Sequence, residues 1–455
     1  MREFDTELVR VLPDTARKGA DGQLWVGGCP LAELADEFGT PLYVYDVATI
    51  RAACAAFRRG LAQYSGEASL IYAAKAYASV ALFQLLAQEG LGVDCVSDGE
   101  LFMAHCAGVP AERLVFHGNN KLESELEFAL RVGVGRFVID NLDELELLAA
   151  IATREGKTAS VWLRLNPGVE PHDTHAYRRT GQLDSKFGLP IETGDAERAV
   201  RSCQSLSALQ LVGYHIHIGS QIFDLRPYRE AIERTFAFAA RMRDRYGIVP
   251  REFSPGGGLG VPYIPDDPVL HLTEAAAMLA EWVQAAAHAW DLPLPRLFLE
   301  PGRSLVARAG LALYRVGAVK RIPGVRTYVA VDGGMADNIR PALYGAHYVA
   351  LPGKFTERPA ERVTVVGKYC ESGDVLVREA WLPAPQRGDL VVVLVAGAYC
   401  LAMASNYNLA RRPAVVAVED GRVMVWQRRE TLNDLIAREM VVAPKMTDIE
   451  FSPCP

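Results

Sequence analysis

The chain has 455 residues, half of them hydrophobic and 23% charged, which is an ordinary globular composition on a chain too long for one hydrophobic core. Its net charge of −7 provides no basic footprint, and we therefore expect neither nucleic acid nor a membrane as a partner. Eight cysteines without a CxxC pair predict free thiols in a reducing cytoplasm, and the acidic start MREFDTELVR lacks the apolar stretch of a signal peptide.

The first 40 residues contain a strand-like run, LWVGG (24–28), and a short helical stretch, LAELADEFG (31–39). A chain of this length is expected to form two domains. We expect the segment 1–40 to join the second of them, a β-domain near the C-terminus.

From about Ser69 to Ser304, short apolar runs alternate with helix-like stretches in which apolar residues recur every three and four positions. The runs are SLIYAAK, VDCVS, RLVFHG, RFVID, SVWLRL, VGYHIHIG, REFSPGGG and RLFLEPGR. Several helical stretches end at a glycine that is typical of a helix terminus, namely Gly90, Gly108, Gly156 and Gly247. Eight strand–helix units predict a (β/α)8 TIM-type barrel over 41–304, with an open doubly wound sheet as the alternative.

After Ser304 strand-like runs dominate, and they predict an antiparallel β-domain over 305–455. Asp420 and Gly421 separate two alternating stretches, AVVAVE and RVMVWQ, as is typical of a β-hairpin. The apolar run LVVVLVAGAYCLAMA (390–404) is shorter than the roughly 20 residues of a membrane span, and its β-branched first half predicts a buried strand. The predicted fold class is therefore α/β plus all-β.

A lysine closes the first barrel strand, in IYAAKAYAS (71–79). The chemistry of a (β/α)8 barrel takes place at the carboxyl ends of its strands, where Lys75 is expected to lie. Its stem can be buried while its ammonium reaches solvent. Alternatively, a desolvated ammonium at the barrel mouth loses its proton readily and can form a Schiff base.

Two histidines alternate with isoleucines on the sixth strand, YHIHIGSQ (214–221). The alternation predicts that His215 and His217 share one face, and Ser220 follows where it can donate a hydrogen bond to an anion. A zinc site would need further ligands, and the nearby candidates are His117, His172 and His175. Because no HExxH spacing is present, we predict no metal.

The seventh and eighth strands end in motifs suited to anions and cations. Three glycines in SPGGGLG (254–260) let backbone N–H groups approach an oxyanion, and they match neither a Walker A loop nor a dinucleotide fingerprint. In FLEPGRS (298–304), Glu300 ends an apolar strand and Arg303 lies three residues on. The two can pair internally, or Glu300 can hold a cationic ring nitrogen while Arg303 meets a phosphate or carboxylate. Together with a strand-end lysine and histidine, these are the parts that hold pyridoxal phosphate.

A cysteine lies beside acids in KYCESGD (368–374), in the predicted β-domain. Neighbouring negative charge raises the pKa of a thiol, so a functional Cys370 is expected to donate a proton rather than to attack. The alternative is an ordinary strand-end loop with a half-buried cysteine and with Glu371 and Asp374 in solvent.

With these motifs in this order, the chain resembles the fold-type III pyridoxal-phosphate decarboxylases, from GTPLYVYD (39–46) to ASNYN (404–408). Its loop PHDTHAYRRTGQLDSKFGL (171–189) is similar to that of the members that act on diaminopimelate. The resemblance implies a lyase that converts meso-2,6-diaminopimelate to L-lysine and carbon dioxide, the last step of lysine biosynthesis, with pyridoxal 5′-phosphate as cofactor.

The resemblance also implies a role for each site residue. Lys75 would bind the cofactor covalently, His217 would stack on its ring, and Glu300 would pair with the ring nitrogen. The residues implied to hold the phosphate are Ser220, Gly257, Gly258, the backbone of Glu300, Pro301, Gly302 and Arg303, and Tyr399. Those implied to bind substrate are Arg303, Arg340, Tyr344, Glu371 and Tyr399.

In the enzymes that this chain resembles, the site lies at a dimer interface. The resemblance therefore implies a homodimer with shared sites, in which the CESGD loop (370–374) of one subunit enters the barrel of the other. Cys370 would donate the proton that replaces the lost carboxylate, and Glu371 would bind the distal ammonium of the substrate.

Two positions depart from the family pattern, since Tyr77 stands where asparagine is commonest and Asp98 where a second glycine is usual. Ornithine and arginine decarboxylases share the lysine, the glycines and EPGR, but their substrates lack a second carboxylate for Arg340 and Tyr344. Alanine racemases share the barrel and the lysine without the CESGD loop. A non-catalytic binding protein on this fold would be expected to have lost Lys75 or Cys370.

Overall fold

The computed structural model describes residues 4–170 and 184–440. The chain begins with a small antiparallel sheet, a helix, a strand and a second helix: β1 (Arg17–Lys18), β2 (Leu24–Val26), β3 (Cys29–Pro30), α1 (Leu31–Phe38), β4 (Leu42–Asp46) and α2 (Val47–Leu61). Backbone hydrogen bonds from Leu24 to Gly353 and from Phe355 to Gly22 attach the small sheet to the second domain. The assignment of the segment 1–40 to the second domain stays a prediction.

Eight parallel strands form the barrel, with a short extra strand, β10, paired to β9. They are β5 (Ala68–Ala73), β6 (Gly92–Cys95), β7 (Leu114–Phe116), β8 (Arg136–Ile139), β9 (Ala159–Asn166), β10 (Leu189–Pro190), β11 (Leu209–His215), β12 (Glu252–Gly256) and β13 (Arg296–Leu299). Strand β13 pairs with β5, which closes the ring. The predicted closed barrel is confirmed and the open-sheet alternative is wrong.

Helices follow the strands around the barrel: α3 (Val80–Gln88), α4 (Asp98–Cys106), α5 (Glu123–Val132), α6 (Leu142–Arg154), α7 (Asp195–Ser205), α8 (Arg226–Tyr246), α9 (Leu272–Ala289) and the short α10 (Arg303–Val306). Ser79, Ser97 and Asn141 accept backbone N–H groups at the starts of α3, α4 and α6. The glycines predicted to follow helices have left-handed backbone, with φ of 62° to 80°, which explains the residue type.

The barrel interior has two layers of different chemistry. Six apolar side chains form the layer farther from the strand C-termini, namely Ile71, Val115, Val138, Trp162, Val212 and Phe298. Buried polar side chains occupy the end nearer the strand C-termini, namely Asp94, His117, Asp140, Arg164, His215, Ser254 and Glu300. Because burying polar groups is costly unless they are paired, the polar layer indicates a functional site at that end.

The second domain contains one mixed sheet, and its elements are β14 (Gly310–Ile322), β15 (Arg326–Val331), α11 (Arg340–Tyr344), β16 (Ala350–Pro352), β17 (Ala360–Val366), β18 (Val375–Pro383), β19 (Leu390–Val393), β20 (Ala414–Glu419), β21 (Arg422–Gln427) and α12 (Leu432–Ile436). Most pairings are antiparallel as predicted, while β20 with β4 and β15 with β17 are parallel. The hairpin at Asp420–Gly421 is confirmed, since both residues have positive φ between β20 and β21.

Strand β4 lies in the sheet of the second domain, although it precedes the whole barrel in the chain. The division at residues 41 and 305 stays a prediction. Within the described ranges, we find no helix long and apolar enough to cross a bilayer, and the run 390–404 begins as the buried strand β19.

Candidate active site

A cavity at the C-terminal end of the barrel brings most of the predicted site residues together. The predicted residues that line it are Lys75, His217, Ser220, Gly257, Gly258, Glu300, Gly302, Arg303, Arg340, Tyr344 and Tyr399. Pro301 lies beside the cavity, where its carbonyl accepts the N–H of Ala73 and joins the ends of β13 and β5. Among the described residues, Cys370 and Glu371 are not part of the lining. Residues 171–183, with His172 and His175, lie outside the described ranges.

Lys75 stands on a single turn, Ala74–Ala76, that follows β5 directly. Its side chain is exposed and lines the cavity, in line with the first of the two alternatives for this lysine. Asp94 from β6 shares the lining, and burial raises the pKa of its carboxyl to about 8 despite the attraction of Lys75. The sequence prediction missed Asp94, although an acid inside the apolar strand VDCV was a usable signal.

Glu300 follows β13 and is buried with one hydrogen-bond partner on each carboxylate oxygen. Nε2 of His215 lies 2.9 Å from Oε2, and Oγ of Ser254 lies 2.9 Å from Oε1. Burial alone would raise the pKa of Glu300, but His215 and Ser254 outweigh it and the pKa is lowered. Glu300 therefore presents a negative charge to the cavity, and the internal pair with Arg303 that the sequence left open does not form among the described contacts.

His217 lines the cavity, and burial together with the charge of Lys75 holds the pKa of its imidazole well below the usual range. A neutral ring of this kind suits stacking on a heteroaromatic group. The possible ligand atoms of His117, His215 and Glu300 lie within 4.8 Å of one another. Both oxygens of Glu300 already have hydrogen-bond partners, and the absence of a metal site stays a prediction.

Arg303 and the glycines form a cradle for an anion. Arg303 donates to Tyr263 at 2.6 Å and to Ser220 at 3.1 Å, while its Nε–H is buried without an acceptor among the described residues. A Cβ at Gly257 would lie 1.9 Å from the carbonyl oxygen of Glu300, and one at Gly258 would lie 2.0 Å from that of Gly219. The close backbone approach requires glycine at both positions, and both glycines line the cavity.

A second guanidinium reaches the same cavity from the other domain. Arg340 begins α11, is 2% exposed, and donates a hydrogen bond to Tyr348. Its guanidinium lies over the ring of Tyr263 at 4.5 Å, and Tyr348 packs edge-on against that ring. Tyr263 thus contacts both Arg303 and Arg340, a role that the sequence prediction missed because the residue reads as an ordinary core aromatic in GVPYIP (260–265).

The two acids of the CESGD loop differ in exposure, since Asp374 is buried and Glu371 is exposed. Asp374 is buried and accepts the backbone N–H groups of Met335 at 2.7 Å and Tyr369 at 2.9 Å, so the alternative that places Asp374 in solvent is wrong. Cys370 and Glu371 are exposed, and the alternative of a half-buried cysteine is also wrong. Asp374 fixes the loop, which leaves the thiol and the other carboxylate on the surface.

We predict that Asp374→Ala lowers the free energy of unfolding by about 3 kcal/mol, because two part-buried backbone N–H groups lose their acceptor. Unfolding in urea, followed by fluorescence, measures this change. Glu371→Gln is the matched control, since Glu371 is exposed and its change is expected to lie within about 0.5 kcal/mol of the parent. Equal stability of the two variants would contradict the anchoring role of Asp374.

Residues 47–307 match the family model described as pyridoxal-dependent decarboxylase, pyridoxal binding domain. A diaminopimelate decarboxylase of Bacillus subtilis (strain 168) is 46% identical over 430 residues, which cover 94% of this chain and 98% of the relative. One of Mycobacterium tuberculosis is 42% identical over 447 residues, with coverage of 94% and 98%.

The chain belongs to the diaminopimelate decarboxylase family. A solved diaminopimelate decarboxylase from M. jannaschii, in complex with L-lysine, superimposes with a TM-score of 0.87 at 36% identity, covering 94% of this chain and 98% of that one. The match of the pyridoxal binding domain spans the barrel cavity from Lys75 to Arg303. In this chain, the second domain contributes Arg340, Tyr344, Tyr399 and Met403 to the described lining of that cavity.

Proposed function

We propose that this chain decarboxylates meso-2,6-diaminopimelate to L-lysine and carbon dioxide, the last step of lysine biosynthesis, with pyridoxal 5′-phosphate as its cofactor. The observation that carries the proposal is the cavity itself. It combines an exposed amine, Lys75, a buried carboxylate, Glu300, and two guanidinium groups, Arg303 and Arg340.

The residues present fit the cofactor. The glycines at 257 and 258, Ser220 and the acceptor-free Nε–H of Arg303 suit its phosphate, and Tyr399 places its ring 4.6 Å from the Arg303 guanidinium. Gly302 lines the cavity beside them, and Pro301 holds the strand end that carries the backbone of this turn. When bound through Lys75, the cofactor supplies an electron sink for the carbon that loses carbon dioxide.

Three side chains of the barrel would control the ring of that cofactor. Lys75 is the only lysine of the described lining and would supply the amine that anchors it. His217, held neutral by burial, would stack on the ring, and the ionised Glu300 would hold a proton on the ring nitrogen. A proton on that nitrogen strengthens the sink, because it places positive charge where electrons accumulate.

The distal end of the substrate would lie toward the second domain. Arg340 and Tyr344 on α11, with Arg303 and Tyr399, surround that side of the cavity and suit a carboxylate. Ornithine, arginine and lysine carry no second carboxylate, so each would leave the buried Arg340 guanidinium without an anionic partner. Glu371 would bind the distal ammonium, which makes the complete distal amino-acid group the recognised feature.

The proton donor would come from a second copy of the chain, in a homodimer with shared sites. Cys370 and Glu371 are exposed on a loop that Asp374 holds rigid, and neither is part of the described lining of its own cavity. Docked on the partner's cavity, Cys370 would deliver a proton to the carbon that has lost its carboxylate. A cytoplasmic location is part of the proposal, since the seven described cysteines carry free thiols.

Absorbance in the visible range tests the cofactor part of the proposal. We expect the purified protein to be coloured by bound pyridoxal 5′-phosphate, and sodium borohydride to bleach the band and leave the cofactor on a peptide that contains Lys75. A colourless protein that takes up no added cofactor would instead support a non-catalytic binding protein.

A further inference from the structure

Two side chains that contact Glu300 have no part in the function proposed above. His215, the last residue of β11, approaches Oε2 of Glu300 with its Nε2, and Ser254 on β12 approaches Oε1 with its Oγ. Because an ionised carboxylate can only accept, both contacts place the donor hydrogen on the partner. The Oγ of Ser254 also accepts the backbone N–H of Gly256 at 3.1 Å, which directs its own hydrogen toward Glu300.

The pair of His215 and Glu300 is enclosed by rings and by the barrel wall. His215 is 1% exposed, with the indole of Trp162 parallel to its ring and His117 edge-on at 4.9 Å. The Nδ1 of His215 is buried and has no hydrogen-bond partner among the described residues. A buried imidazole whose one described polar contact is Glu300 is better explained by that contact than by packing, which an apolar side chain would serve without the unpaired nitrogen.

We propose that His215 and Ser254 are positioning residues that hold the Glu300 carboxylate in the orientation that meets the ring nitrogen of the cofactor. One donor on each oxygen removes the rotational freedom of the carboxylate before the cofactor binds, and the remaining lone pairs are left for the ring N–H. The inference rests on the proposed function, because it assigns to Glu300 the ring nitrogen of pyridoxal 5′-phosphate.

The test compares His215→Gln, which keeps an N–H donor near the position of Nε2, with His215→Leu, which fills similar space without a donor. Ser254→Ala removes the second donor, and Thr235→Val controls for the loss of a buried hydroxyl far from Glu300, since Thr235 bonds within α8. Each protein is stripped of cofactor and titrated with pyridoxal 5′-phosphate, and the absorbance maximum of the bound cofactor is recorded beside kcat, KM and Tm.

We expect His215→Leu and Ser254→Ala to bind the cofactor about ten- to a hundredfold more weakly and to shift its absorbance maximum, because each removes one hydrogen bond to a charged group. Their kcat is expected to fall while KM for diaminopimelate changes less than about threefold, since Glu300 contacts cofactor and not substrate. His215→Gln and Thr235→Val are expected to keep the affinity and the absorbance maximum of the parent.

A purely structural role for His215 predicts a different pattern, in which Leu and Gln lower Tm alike and leave the affinity and absorbance maximum unchanged. That pattern would overturn the inference, as would a parent-like Ser254→Ala. Failure of the proposed function would instead show in the parent protein, as a chain that binds no cofactor or releases no carbon dioxide.

Discussion

Lys75→Ala is expected to lower the rate of carbon dioxide release from meso-2,6-diaminopimelate by more than about 10³-fold. The reason is that no other lysine of the described lining can supply the anchoring amine. The visible absorbance of the bound cofactor is expected to disappear, and borohydride should no longer fix cofactor to the chain. Radiometric carbon dioxide release and mass spectrometry of the reduced protein measure the two effects.

Lys75→Arg is the matched control for charge. Arginine keeps a cation beside Asp94 but has no amine able to form the Schiff base, so it is expected to be as inactive as alanine. Either variant that retained borohydride-fixable cofactor would place the anchor on another lysine and contradict the role of Lys75.

A mixture of Lys75→Ala and Cys370→Ala, each inactive alone, is expected to regain about a quarter of the parent activity when the subunits exchange. Random pairing makes about half of the dimers mixed, and each mixed dimer has one site with both the lysine and the cysteine. The physical reason is the exposure of Cys370 and Glu371 on a rigid loop that does not reach the described lining of their own cavity.

Two controls make the mixing experiment decisive. Subunit exchange is followed independently by native mass spectrometry of differently tagged chains. A mixture of Lys75→Ala with Glu300→Gln should show no activity beyond that of the two variants measured separately, because both residues line the same cavity of one chain. If exchange is complete and the lysine–cysteine mixture remains inactive, the two residues serve the same chain's site and the shared-site arrangement is wrong.

The sequence was most informative where polar residues end apolar strands. Lys75, His217 and Glu300 stand out because each is a titratable group at the end of an apolar strand, and all three line the cavity. The eight barrel strands could be predicted because each is a short apolar run between helical patterns. Arg340 and Tyr344 came from the resemblance alone, because nothing local in their helix indicates that it faces the barrel.

Contacts between segments that are distant in the chain could not be predicted from the sequence. Strand β4 pairs in parallel with β20 from the other end of the chain, and no local pattern encodes that partner. The burial of Asp374 was not readable, because the backbone amides of Met335 and Tyr369 that donate to its carboxylate are brought to it only by the folded sheet. Tyr263 was missed because it resembles core sequence until its neighbours across the cavity are known, whereas Asp94 had a usable signal as an acid inside an apolar strand.

The most direct test of the proposed function is carbon dioxide release by the purified protein, supplied with pyridoxal 5′-phosphate, from four amino acids at equal concentration. The cavity with Arg340 and Tyr344 on its distal side predicts rapid carbon dioxide release from meso-2,6-diaminopimelate, with L-lysine as product. Rates from ornithine, arginine and lysine are expected to be at least about a hundredfold lower, because each of these leaves the buried Arg340 guanidinium without an anionic partner. Release from ornithine, arginine or lysine at a rate equal to or above that from diaminopimelate would contradict the proposed function.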